Sequence, residues 1–204
     1  EYALASGDHS YAEKALALFK RIQHFIATPG ILEPKYLDTL EAQGHSVTMI
    51  LINTASRIRA VIDDKDLIRQ IDDSIATLSK YFIHPEFKAL LEMVGPNGEF
   101  IDTCNGRVIN PGHCIETSWF ILEEAKYRNW DAGLVKLALT ILDWSWEWGW
   151  DKEFGGIINF RDCRNLPCQD YSQDMKFWWP QTEAIIATLY AYPVSYTHLT
   201  LPTT

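Results

Sequence analysis

The sequence is short of positive charge. Its 204 residues hold 18 Lys and Arg against 27 Asp and Glu, a formal net charge of −9. It therefore lacks the clustered basic residues that hold nucleic acid or an anionic membrane surface. No apolar run approaches the roughly 20 residues that span a bilayer, and no charged head followed by an apolar core marks a secretory leader. These absences point to a cytoplasmic protein with neither a nucleic-acid nor a membrane partner. The cysteines are few, Cys104, Cys114, Cys163 and Cys168. They show neither the C-x-x-C spacing nor the paired histidines of a zinc site, so reduced structural thiols are expected. No P-loop or Gly-x-Gly-x-x-Gly pattern offers a nucleotide site. What is abundant is apolar material, 47% of the chain, enough for one sizeable core.

The apolar residues recur at helical spacing. From Tyr11 to Ile26, residues Ala15, Leu16, Leu18, Phe19, Ile22 and Phe25 form a stripe at 3- and 4-residue intervals. Similar stripes run over Val47–Ile62, Leu67–Phe82, Cys114–Tyr127, Leu134–Trp148 and Phe177–Tyr192. The link at Asp63 and Asp64 is short, whereas 29–44, 84–111 and 150–174 are long and rich in Gly, Pro, Asn and Asp. This alternation predicts stacked helical hairpins with functional loops. Leu90–Val94 and Phe100–Thr103 flank Gly95-Pro96-Asn97-Gly98, which predicts a small β-hairpin, and Ile157–Phe160 reads as another short strand.

The stretch NPGHCIETSW, residues 110–119, carries the most chemical information. Asn110 suits an N-cap and Pro111 the first helical position. His113, Glu116 and Trp119 then follow at i, i+3 and i+6 on one face, an imidazole, a carboxylate and an aromatic plate that suit proton transfer on a sugar. The positive end of the helix is expected to keep the ring neutral, as a base requires. The bland alternative is a hydrogen-bonded core histidine with Glu116 as its structural partner. In FWWPQTEAI, Trp179 precedes Glu183 by four residues, so indole and carboxylate share a helix face and suit a sugar's apolar face and hydroxyls. The competing account of Glu183 is a first-turn carboxylate favoured by the helix dipole. The other tryptophans, clustered at Trp144, Trp146, Trp148 and Trp150, read mainly as core.

GHCIETSW followed by WWPQTEAI resembles the paired signature of the N-acylglucosamine 2-epimerase family, and the similarity extends over HSVTMILIN and LEMVGPNGEF. The resemblance implies an all-α fold, an (α/α)6 barrel of about twelve helices, with the sugar pocket at one end. It implies His113 as one of two catalytic histidines and Glu116 as its neighbouring carboxylate. Trp119, Trp179 and Glu183 become residues that contact substrate. The implied reaction removes a proton beside a carbonyl, at C2 of an N-acyl-D-glucosamine or N-acyl-D-mannosamine, with no cofactor and no metal. An aldose–ketose isomerase and a cellobiose or mannose 2-epimerase remain alternatives within the family, and a non-catalytic helical-hairpin binding protein remains one outside it. The implied partner is a small sugar, with a homodimer open for the full-length protein.

The departures from the family pattern are informative. Where disaccharide epimerases and mannose isomerases carry a further histidine, HSVTMILIN places Met49, which points to an apolar wall for an acyl group, or else to core packing. The family's second catalytic histidine and its N-terminal arginine have no counterparts. Glu1–Ala5 reads as the end of a helix. Residues 1–193 are thus expected to be part of an (α/α)6 barrel, inactive alone. Residues 194–204, VSYTHLTLPTT, resemble a translated sequencing-library adaptor and are expected to be a non-native tail.

Overall fold

The computed structural model describes residues 1–28, 30–31 and 41–195, and every stripe read from the sequence carries a helix. A short α1 (Tyr2–Ser6) leads into α2 (Ser10–Ala27). Helix α3 (His45–Arg59) turns into α4 (Lys65–Thr77), α5 (Pro111–Tyr127) into α6 (Ala132–Gly149), and α7 (Trp178–Ala191) follows. Short polar side chains start them. Asp64 accepts the Asp66 N–H at 2.8 Å, Asp131 the Leu134 N–H at 2.9 Å and Asn110 the His113 N–H at 3.2 Å, each satisfying a donor that the first helical turn leaves open. No helix among the described residues is long and apolar enough to cross a membrane.

Helices α3, α5 and α7 lie side by side, with α4 packed on α3 and α6 on α5. The result is a two-layered arc, a partial (α/α)6 barrel. Helix α5 is its centre, and Ile115, Ile121, Leu122 and Ala125 are fully buried. Ile115, Ile121 and Leu122 join Ile52, Leu67, Ile71 and Ile141 in one apolar cluster. The stripe to Phe82 predicts a continuous helix, but α4 passes into a π-helical turn at Leu78–Phe82. Its wider winding sets the buried Phe82 ring against His45, centroids 5.9 Å apart. The Phe82 carbonyl also accepts the Leu91 N–H at 3.0 Å.

Three short antiparallel ladders tie the loops together: β1 (Gln43–Gly44) with β4 (Met93–Val94), β2 (Ile83–His84) with β3 (Ala89–Leu90), and β5 (Val108–Ile109) with β6 (Arg161–Asp162). Because β1 runs straight into α3 and β5 nearly straight into α5, the pairing gathers the starts of these helices at one end. The start of α7 joins them through Gln181, whose amide donates to the Ile157 carbonyl and accepts its N–H, both at 2.8 Å.

Two strand expectations need correction. The turn at Gly95 to Glu99 forms, with the Gly95 N–H donating to the Glu99 carbonyl at 2.8 Å, but Met93–Val94 pairs with Gln43–Gly44, not with 100–103. Phe100 instead packs against Phe87, the rings tilted at 45° with centroids 4.8 Å apart. Ile157–Phe160 forms only a bridge from Ile157 to Trp150, because Gln181 and the backbone of Gln173 and Met175 take its hydrogen bonds. Of the expected tail, Val194 and Ser195 turn back onto Ala191, N–H to carbonyl 3.1 and 2.8 Å. Residues 196–204 lie outside the described residues.

Candidate active site

The candidate residues come from the first turns of the three gathered helices: His45 opens α3, His113 is the third residue of α5, and Trp179 the second of α7. Along 111–122 every residue is buried except His113, Glu116 and Trp119, which are half-buried. The spacing therefore does put these three on the one open face of a packed helix. Trp179 lies over His113, ring centroids 5.3 Å apart at 38°. The approach depends on Gly112, where a Cβ would sit 2.5 Å from the Trp179 ring.

His113 is held by a residue that the sequence did not reveal. Its Nδ1 lies 3.1 and 3.0 Å from the two oxygens of Glu92, in the segment between β3 and β4. A carboxylate only accepts at neutral pH, so Nδ1 carries the proton and Nε2 is left with the lone pair. His45, fully buried, reaches the same carboxylate, Nδ1 to Oε1 3.4 Å. Its Nε2 lies 2.8 Å from the Thr117 hydroxyl. The donor atoms of His45, Glu92 and His113 lie within 4.8 Å of one another, the donor set from which a divalent transition metal could be held. Hydrogen bonds account for the short His113–Glu92 contacts.

Charge is distributed unevenly over the site. Burial favours the neutral acid at Glu92, yet the hydrogen bonds and charge of His113 and His45 pull its pKa down to about 2. Burial likewise works against an imidazolium at His113, but the Glu92 hydrogen bond, the Glu92 charge and Glu116 together raise its pKa above the usual value. This corrects the expectation that the helix end alone keeps the ring neutral; a carboxylate in direct contact outweighs a fractional helix charge. Glu116 is pushed up to about 7 by burial and by Glu183, with His113 pulling the other way. It can thus hold or release a proton near neutrality.

The remaining candidates are placed less simply. The Trp119 indole N–H donates to Glu183 at 2.7 Å, and its face stacks on Tyr190, centroids 5.8 Å apart at 18°. Trp119 thereby fixes the carboxylate of Glu183, and Glu183 remains half-buried beside Glu116. Met49 is 2% exposed and packs in the core cluster, so the core-packing alternative describes it and it offers no wall to a sugar. One signal for Glu92 was available: it is a lone charge among Leu90, Leu91, Met93 and Val94, and a charge in an apolar run needs a partner. His45 lies four residues before Met49 in HSVTMILIN, on the same helix.

A partial toroid of helical hairpins thus gathers two histidines, three carboxylates and a tryptophan at one end. Among solved structures, that of a sugar epimerase from a ruminal bacterium superposes with a TM-score of 0.74 over 96% of this chain and 51% of the other, at 16% identity. That of cellobiose 2-epimerase from Bacillus thermoamylovorans superposes with a TM-score of 0.62 over 75% and 37%, at 19% identity. These likenesses concern the fold. The chain belongs to the N-acylglucosamine 2-epimerase (GlcNAc 2-epimerase) family, whose family model matches residues 57–199. It is similar to the N-acylglucosamine 2-epimerase of Rattus norvegicus, 30% identical over 194 residues that cover 92% of this chain and 45% of the relative. With that of Homo sapiens the identity is 28% over 197 residues, at the same coverage. The chain thus spans somewhat under half the length of the curated relatives it matches.

Proposed function

We propose that the chain supplies one wall of the sugar site of a carbohydrate 2-epimerase, with His113 as a proton-transfer group at C2. The observation that carries this reading is the His113–Glu92 contact, since a proton held at Nδ1 leaves Nε2 as the base, beside the Trp179 ring. On this reading the pyranose opens to its aldehyde form. His113 takes or returns the C2 proton of the opened sugar on one face. A second acid–base group, supplied from outside this chain, acts on the other and inverts the centre. Glu116, near neutrality, hydrogen-bonds a sugar hydroxyl or the developing enolate oxygen. Trp179 covers an apolar sugar face and Glu183 takes a hydroxyl.

N-acyl-D-glucosamine and N-acyl-D-mannosamine are the favoured pair because the curated relatives near 30% identity bear the name N-acylglucosamine 2-epimerase. Met49 does not contribute to that choice. Residues 1–193 act as part of a larger toroid, and the outward apolar side chains, such as Leu18 at 59% exposure and Leu189 at 63%, are covered there by further hairpins. The test uses the protein that carries this chain at the length of its relatives, in competition among N-acetylmannosamine, mannose and cellobiose. A higher kcat/KM for N-acetylmannosamine is expected. Faster turnover of mannose or cellobiose overturns the N-acyl assignment in favour of the isomerase or disaccharide reading.

A further inference from the structure

We propose that His45, Glu92 and His113 form a binding site for a divalent transition metal of the Zn2+ type. The metal is here an inhibitor and not a cofactor, a consequence that rests on the reading of His113 as the proton-transfer group.

What points to a cation is a pair of facing acceptors. The Thr117 hydroxyl lies 2.8 Å from the His113 carbonyl one turn back. A carbonyl only accepts, so the hydroxyl proton is committed there. The same oxygen lies 2.8 Å from His45 Nε2 and accepts from it, which assigns an N–H to Nε2. On a neutral ring Nδ1 is then a bare lone pair, and it faces Glu92 Oε1 at 3.4 Å. His45 is fully buried, where little solvent softens the repulsion between two acceptors. Something positive must lie between them, a second ring proton or a metal ion. A proton there serves two groups. A metal serves three, because His113 Nδ1 converges on the same carboxylate at 3.1 and 3.0 Å.

The spacing suits such an ion. Two donors on a tetrahedral zinc with bonds of about 2.0–2.1 Å stand about 3.3 Å apart, against 3.0–3.4 Å for the pairs that include Glu92. All three donor atoms lie within 4.8 Å of one another, and a turn of the half-buried His113 ring closes the remaining edge. His45 is already set in place. Thr117 holds its Nε2–H, the outer bond that ligating histidines make, its backbone N–H donates to the Glu92 carbonyl at 3.0 Å, and the Phe82 ring lies against it. The side chains of His113 and Glu92 are 28% and 20% exposed, which leaves a fourth position open to water. Glu116, with Glu183 beside it, adds negative charge that favours a dication. The metal takes the Nδ1 lone pairs of both rings. Any proton between His45 and Glu92 leaves to solvent, and that of His113 moves to Nε2 through solvent. Nε2 then has no lone pair for the C2 hydrogen, so metal binding and proton abstraction exclude one another.

The test uses Co2+ as the probe, in the protein that carries this chain at the length of its relatives. One Co2+ per chain should give the strong visible absorption of a four-coordinate ion, without thiolate-to-cobalt charge transfer in the near ultraviolet, and one equivalent of Zn2+ should displace it. His45→Gln, Glu92→Gln and His113→Asn should each weaken binding by more than about 100-fold. His24→Ala, at an exposed histidine, should leave the affinity unchanged. The weak spectrum of a six-coordinate ion, a thiolate band, or parental affinity in the three variants overturns the proposal. If His45→Gln and Glu92→Gln unfold, the half-buried His113 decides: lost affinity in His113→Asn supports the site and retained affinity overturns it. Stoichiometric Zn2+ should also abolish epimerisation, and a chelator should restore it. Binding at these three residues with undiminished turnover leaves the metal site standing and refutes His113 as the base, so the two readings fail separately.

Discussion

Glu92→Gln is the substitution whose effect follows most directly from the geometry. Glutamine keeps the size of the side chain and one oxygen that can accept the His113 Nδ1–H, but it removes the negative charge 3.0 Å from the ring. Unit charges at that distance attract by about 5 kcal/mol at an effective dielectric constant of about 20, and taking both out of water offsets much of this. The carboxyl pKa gives a second measure. Its displacement from 4.5 to about 2 corresponds to stabilisation on the order of 3 kcal/mol. The sign is set by the direction: a lowered carboxyl pKa contributes fully above 4.5 and is lost as pH falls towards 2. For His113 the raised pKa contributes below 6.5 and is lost as pH rises through the folded-state value. The pair therefore stabilises most in the window between 4.5 and 6.5. Urea unfolding followed by tryptophan fluorescence, from about pH 3 to about pH 8, measures it. The variant should lose about 2 kcal/mol near the middle of that range and show a shallower fall on the acid side. Parallel stability curves for variant and parent would refute the argument, since other carboxylates contribute equally to both.

Gly112→Ala should displace Trp179, because the added Cβ meets its ring at 2.5 Å; an altered near-UV circular dichroism spectrum and a loss of about 1–3 kcal/mol are expected, and an unchanged spectrum counts against the packing. Glu124→Gln removes the charge that receives a two-bond grip from Arg59 at 2.9 and 2.7 Å and a third bond from Arg128 at 2.6 Å; with Glu124 fully buried, urea titration should show a loss of about 3–5 kcal/mol. Glu116→Gln should delete a carboxyl titration near 7, seen as loss of that step in 13C-detected carboxyl spectra, whereas a step that persists assigns it elsewhere.

The helical framework was legible because its signals are local. Asn110 and Pro111 announce the start of α5, and a period of 3.6 residues puts His113, Glu116 and Trp119 on one face whatever surrounds them. The Trp179–Glu183 spacing was legible for the same reason. What the sequence did not show is what joins segments far apart in the chain. The ladders are two residues each, too short for an alternating pattern, so nothing local told Met93–Val94 to choose Gln43–Gly44 over the other arm of its own turn. The Glu92 partnership with His113 spans 21 positions and that with His45 spans 47. The π-helical turn at Leu78–Phe82 was hidden because an apolar stripe reads the same through it. Met49 is the converse case: its place in the sequence allows either a pocket wall or core packing, and only the local packing decides for the core.

The claim that His113 handles the C2 proton is tested most directly by following exchange of that hydrogen with heavy water, in the protein that carries this chain at the length of its relatives. N-acetylmannosamine is the substrate, and the parent is compared with His113→Asn, which keeps some hydrogen bonding but removes the base. Epimerisation and C2 exchange should fall together by about two to four orders of magnitude while the unfolding transition survives. Exchange and epimerisation at the parent rate in the folded variant would contradict the account.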